Sequence, residues 1–227
     1  MSVKFIIAII ISLLNIFLGL IILRKNYKNP SNIYYCALCV SGGLWAIIFA
    51  SYLIINSQIL FDYFIRATYI CVLVPLFYLI FVYHYPYRLW VYPEWLIRLI
   101  FIIPSLLVFF IFSGILRLEE VVNIDGLLKA KTIFPNFLFF VIYFFIYIIW
   151  GIVVLFKKFK RIEGVYKINI KYLITATGLT FLLTGLINVI LPLLFGTFFL
   201  DWLGPIFTLI NFVIIGYLIF IRPKVLR

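Results

Sequence analysis

Long apolar segments separated by short links that carry most of the cations leave this chain one solvent in which to fold. The link Lys157 to Lys171 is the densest: Lys157, Lys158, Lys160, Arg161, Lys167 and Lys171 face a single acid, Glu163, between two apolar segments. A Lys/Arg cluster in a short loop stays on the cytoplasmic side, because cations cross hydrocarbon at high cost and the inner leaflet is negative. This basic cytoplasmic loop, 157–171, therefore sets the orientation of everything around it.

A hydrophobic fraction of 67%, only 11% charged residues and a mean hydropathy of +1.26 exclude an ordinary soluble domain, in which about half the residues are apolar. The 227 residues provide spans of about 20 residues each and no separate globular domain. The expected architecture is all-α: one integral membrane bundle, 1–227, of seven transmembrane helices. The net charge of +12 does not argue for nucleic acid, because the cations sit at segment ends, where anionic headgroups hold them.

The first span runs from about Val3 to Leu23, with Arg24, Lys25 and Lys28 after it, which places the N-terminus outside. No small-residue cleavage pattern follows it, so it stays as a helix. Asn29-Pro30 makes a turn into span two, about Ile33 to Ile55, where Ser41, Gly42 and Gly43 permit close helix approach. Span three, about Phe61 to Tyr83, carries Asp62 and Arg66 at its outer end, four apart and acid first, the order that favours a helix ion pair. The link His84 to Pro93 is rich in Tyr, Trp and Pro, as at a cytoplasmic interface. Span four, about Glu94 to Leu116, contains Pro104, tolerated where a neighbouring helix satisfies the freed carbonyl.

The longest outer loop, 118–136, has two short runs on either side of Asp125-Gly126 that suit a small hairpin. Span five, about Phe137 to Phe156, puts Tyr143, Tyr147 and Gly151 on one stripe. Span six, about Tyr172 to Phe195, aligns Thr177, Thr180, Thr184 and Asn188 on one face, and span seven, about Asp201 to Ile221, aligns Asp201, Gly204, Thr208 and Asn211. Run antiparallel, the two faces meet with Asn188 near the depth of Thr208 and Thr184 near that of Asn211. They form a candidate polar seam that either glues the helices or holds a ligand.

With the N-terminus outside, fourteen of the nineteen Lys and Arg fall on inner segments, and the C-terminus is cytoplasmic. Cys36, Cys39 and Cys71 all lie within apolar segments and read as packing residues, with no disulfide, zinc or other metal site expected. The lone His84 has no carboxylate or Cys beside it. No nucleophile–base set, metal motif or phosphate-binding glycine loop is present, so neither enzymatic chemistry nor a cofactor is expected.

In span order the chain resembles the N-terminal seven-helix membrane region of bacterial histidine kinases. The residues that carry this are the Asn29-Pro30 turn before a Trp45-containing second span, Pro75 within span three, and the closing block. That block reads KINIKYLITATGLTFLLTGLINVILPLLFG, then LDWLGPIFTLINFVIIGYLIFIRPKVLR. The resemblance implies a sensory, signal-input module in the cell membrane, expected to bind a small molecule and to act through a separate kinase or other signalling partner. The family's phosphoacceptor helix and ATP-binding domain are not among these residues, and its polar motif near the end of span four is not evident in Phe112–Arg117. The alternatives are a small transporter or lipid-handling protein, favoured by buried midplane charges and paired broken spans, and a structural membrane scaffold.

Overall fold

The structure, a computed structural model, describes residues 3–52, 54–124, 127–195 and 203–221. Nearly all of it is helix, as hydrocarbon demands of a backbone that must satisfy its own polar groups. The elements in order are α1 (Val3–Lys25), α2 (Pro30–Tyr52), α3 (Gln58–Thr68), a 3₁₀ turn (Tyr69–Val72), α4 (Leu73–His84) and α5 (Glu94–Phe112). Strands β1 (Glu119–Ile124) and β2 (Leu127–Thr132) follow, then α6 (Phe134–Arg161), α7 (Gly164–Gly185), a π-helical turn (Leu186–Ile190), α8 (Leu191–Phe195), α9 (Gly204–Gly216) and a second π turn (Tyr217–Ile221).

Among the described residues, six helical stretches are long and apolar enough to cross a membrane: Val3–Lys25, Pro30–Ser51, Gln58–His84, Glu94–Phe112, Phe134–Arg161 and Gly164–Asn188. The seventh expected span is a shorter apolar helix, Leu203–Gly216, prolonged as a π turn to Ile221. A multi-pass membrane protein accounts for this arrangement.

The helices form a closed ring. α2 packs on α1, α4 and α9; α4 packs on α6, α6 on α7, α7 on α9, and α9 returns to α1, while α5 leans on the outside against α3 and α4. Small residues set the closest approach: a Cβ on Gly19 would stand 3.0 Å from the Cβ of Cys39, and one on Gly43 would stand 2.8 Å from Ile16. Cys36 and Cys39 are buried free thiols in this contact.

The stretch 157–171, expected as a loop, is mostly helix. Lys157–Arg161 end α6, Gly164–Lys171 open α7, and only Ile162 and Glu163 link them. Cations in the last turn of α6 complement the negative end of its dipole, and the positive φ of Gly164, 67°, lets the chain reverse within two residues. The loop 118–136 is chiefly the β1–β2 hairpin, antiparallel with Glu119 opposite Thr132 and Ile124 opposite Leu127. Asp125 and Gly126 at its tip lie outside the described residues.

A proline inside a span leaves a carbonyl without its helical donor, and α6 sends a tyrosine to the neighbourhood of two such prolines, Pro104 and Pro75. Pro104 cannot donate to Ile100, whose carbonyl instead accepts the Tyr147 hydroxyl at 3.0 Å. Three residues before Pro75, at the end of the 3₁₀ turn, the Val72 carbonyl accepts the Tyr143 hydroxyl at 2.8 Å. One turn further along the same stripe, Gly151 lies against the ring of Tyr78, so α6 holds α4 and α5 through three positions spaced by four.

At the basic end, Lys158 is fully buried, with 0% exposure. Its Nζ donates to the carbonyls of Val82 (2.8 Å), Tyr83 (2.9 Å), Tyr85 (2.6 Å) and Tyr87 (2.9 Å). These are the orphan acceptors left where α4 ends and the chain turns away. Beside them His84 Nδ1 meets the Ile80 carbonyl at 2.8 Å and its Nε2 accepts from Arg88. That pairing fixes the proton on Nδ1, leaves the imidazole neutral, and makes His84 a structural residue. Burial raises the Tyr85 phenol above its usual range despite the bond it accepts from Asn169 at 3.3 Å.

Candidate functional site

The ring encloses space toward the hairpin end. A cavity of about 120 Å³ lies between α2, the 3₁₀ turn, α6, α7 and α9, with aromatic walls that include Trp45, Phe49, Phe140 and Phe144. An apolar hollow of roughly 150 Å³ is enough to take up a benzene ring. A smaller pocket of about 50 Å³ adjoins it toward the basic end and shares Val74, Phe144, Thr184 and Thr208 as walls. Beyond that, Tyr35, Phe81, Tyr85 and Phe212 belong to a closely packed cluster.

The candidate seam residues border these spaces. Thr184, Asn188 and Thr208 line the larger cavity, and Thr177, Thr180, Thr184, Thr208 and Asn211 line the smaller one. Asn188 and Thr208 thus share the larger cavity, and Thr184 shares the smaller one with Asn211. The amide of Asn188 packs so tightly on Gly204 that a side chain there would collide with it. Asp201 lies outside the described residues.

The seam hydroxyls do not bond across the helices. Thr184 Oγ1 donates to its own helix at Thr180 (2.7 Å), and Thr208 Oγ1 to Gly204 (2.9 Å). Among the described residues the buried Oδ1 atoms of Asn188 and Asn211 have no hydrogen-bond partner, whereas Tyr78 and Thr177 face each other within hydrogen-bonding reach. Buried polar atoms in native proteins are nearly always paired, and here these two amide oxygens belong to residues that border hollow space. Asn188 sits within the π turn Leu186–Ile190, a helix defect that recurs at functional sites.

A polar vestibule of about 410 Å³ opens at the hairpin end, bordered by Gln58, Asp62, Arg66, Arg117, Glu119 and Glu120. Arg66 Nη2 donates to Asp62 Oδ2. The guanidinium is tucked against Gly114, whose φ of +76° and missing side chain leave room for it. Glu119 borders both the vestibule and the inner cavity and accepts the hydroxyl of Tyr69. Its neighbour Glu120 points the other way, to Lys131 at 3.6 Å, as alternation along a strand requires.

Nothing in the sequence around Glu119 and Lys158 marks either as a site residue. The first is one of two adjacent acids, Glu119 and Glu120, that an extended strand points apart, and the second is one of six cations in a link. Among the described residues no three His, Cys, Asp or Glu side chains gather where a metal could be held. The arrangement is suited to binding: an apolar hollow, acceptors along one wall, and a carboxylate at the junction with a polar entrance. Comparison with known proteins adds no relative, since no family model, no curated protein and no solved structure matches this chain.

Proposed function

We propose that this chain is a membrane-embedded signal-input module, in keeping with its resemblance to the membrane region of histidine kinases. It takes up a small molecule from the hairpin end and passes the change through α7 and α9 to a separate signalling partner at the basic end. One observation carries this reading: the cavity is walled by α7 and α9 where α7 is broken by a π turn and the Asn188 oxygen is left unpaired. An occupant that satisfies that oxygen in one helix arrangement more than in another has the differential affinity that a switch requires.

The transporter reading needs a route to the other side. The packed cluster around Tyr35, Phe81 and Phe212 lies across that path, and Lys158, the buried cation, is occupied by backbone carbonyls. This favours a module that is entered from one end only.

Gly185 supplies the test. It is buried and lines the cavity, and a Cβ there would meet nothing within 4 Å, so Gly185→Leu fills the hollow as an occupant would. Spin labels at exposed Phe156 and Tyr217, in a background with the three cysteines replaced by alanine, report the separation of α6 and α9 at the basic end. Gly185→Leu is expected to shift the distance distribution in lipid nanodiscs. An unchanged distribution, or solute flux through proteoliposomes that Gly185→Leu abolishes, would overturn the input-module reading.

A further inference from the structure

The donors and acceptors around the larger cavity are unevenly committed. The hydroxyl protons of Thr68, Tyr69, Thr184 and Thr208 are all spent, on Ile65 (2.6 Å), on Glu119, on Thr180 (2.7 Å) and on Gly204 (2.9 Å). What these groups present inward is oxygen lone pairs. Asn188 adds a buried amide oxygen with no partner, and Glu119, which accepts from Tyr69, stands where the cavity meets the vestibule. A ligand that brings only acceptors would leave the Asn188 oxygen unpaired and set its own lone pairs against those of the threonines. A buried acceptor left unsatisfied weakens binding.

We infer that the cavity takes a small amphiphile with a short apolar or aromatic body and a hydrogen-bond-donating head, a primary amine or a hydroxyl, which donates to Asn188 Oδ1. The size follows from the space: about 120 Å³ accommodates a body near that of a benzene ring. The entrance agrees in sign, because a head that passes Glu119 meets a carboxylate at the threshold.

The test uses the full chain in nanodiscs and three photoreactive probes with the same six-carbon, diazirine-bearing body: the primary amine, the alcohol and the methyl ether of that alcohol. The ether keeps the shape and enters the bilayer at least as well, but has no proton to donate. Crosslinks are mapped by mass spectrometry. The amine and the alcohol are expected to label cavity residues such as Phe49, Phe140 and Phe144 saturably, about tenfold more than the ether at equal concentration in the membrane, the equivalent of one hydrogen bond of about 1.4 kcal/mol. Gly185→Leu is expected to abolish this labelling, and Asn188→Leu to lower it about tenfold.

Equal labelling by the ether, or labelling confined to outward residues such as Phe139 and Phe156, would overturn the inference without recourse to any variant. The inference rests on the input-module reading for the existence of an occupant, yet the two fail separately. Cavity labelling with unmoved spin labels would sink the switch and keep the ligand class; a shift on Gly185→Leu with no donor preference would do the reverse.

Discussion

Lys158 supplies the sharpest test of how the bundle is held, because a fully buried ammonium with no carboxylate partner among the described residues is costly to keep. Its ligands are backbone oxygens of Val82, Tyr83, Tyr85 and Tyr87, so Lys158→Met preserves the stem and removes only the head. Three of the four carbonyls belong to buried residues, Val82, Tyr83 and Tyr85, while Tyr87 is about half exposed and rehydrates. At about 1–3 kcal/mol for each stranded acceptor, the loss is about 3–9 kcal/mol. Relief from desolvating the ammonium returns several kcal/mol, so the net destabilisation is a few kcal/mol, well below the sum for the stranded acceptors. Reversible unfolding of the reconstituted protein in mixed micelles measures it, and proteolysis of the link between Tyr85 and Pro93 locates it. Lys158→Met with an unchanged midpoint and an uncut link would refute the view that this side chain caps α4.

Two further perturbations test the α6 stripe. Tyr143→Phe and Tyr147→Phe each remove the hydroxyl that satisfies a carbonyl near a proline, and each is expected to cost about 0.6–1.7 kcal/mol in the same unfolding assay; no loss in either would mean that the proline sites satisfy themselves. Gly151→Leu collides with Tyr78 whereas a side chain at Gly178 meets nothing within 4 Å, so the first is expected to destabilise by about 1–3 kcal/mol or more and Gly178→Leu to be nearly silent, a contrast read directly from paired melting curves.

Much of the architecture was legible because hydrocarbon enforces it. A span must be apolar, helical and about 20 residues long, and those demands appear in sequence without knowledge of neighbours. The Tyr143–Tyr147–Gly151 stripe was visible as spacing, but its partners were not, since nothing local says that Ile100 and Val72 need donors from another helix. The link 157–171 was misread for a related reason: cations mark where a membrane ends and not where a helix ends, and Lys and Arg are good helix formers in water. The threonine face of α7 was readable as a pattern. Whether its hydroxyls bond across to α9 or back to their own carbonyls depends on helix separation, and here the bonds are local. Glu119 was obscured because a hairpin acid is ordinarily solvated, and only the packing of β1 on α3 decides which of the two adjacent acids turns inward.

The ring bears on how the chain must be assembled. α9 is the last helix described, yet it packs on α1 and α2, the first two to emerge, and Lys25 donates to the carbonyl of Phe220 at 2.8 Å to close the seam at the basic end. Until α9 is packed in place, the cavity has no wall on that side, and the Tyr35 hydroxyl, which donates to Phe212, lacks that acceptor. A bundle that lacks only this helix therefore holds an open groove in place of the hollow, so that the enclosed space exists only once the first and last described helices have met.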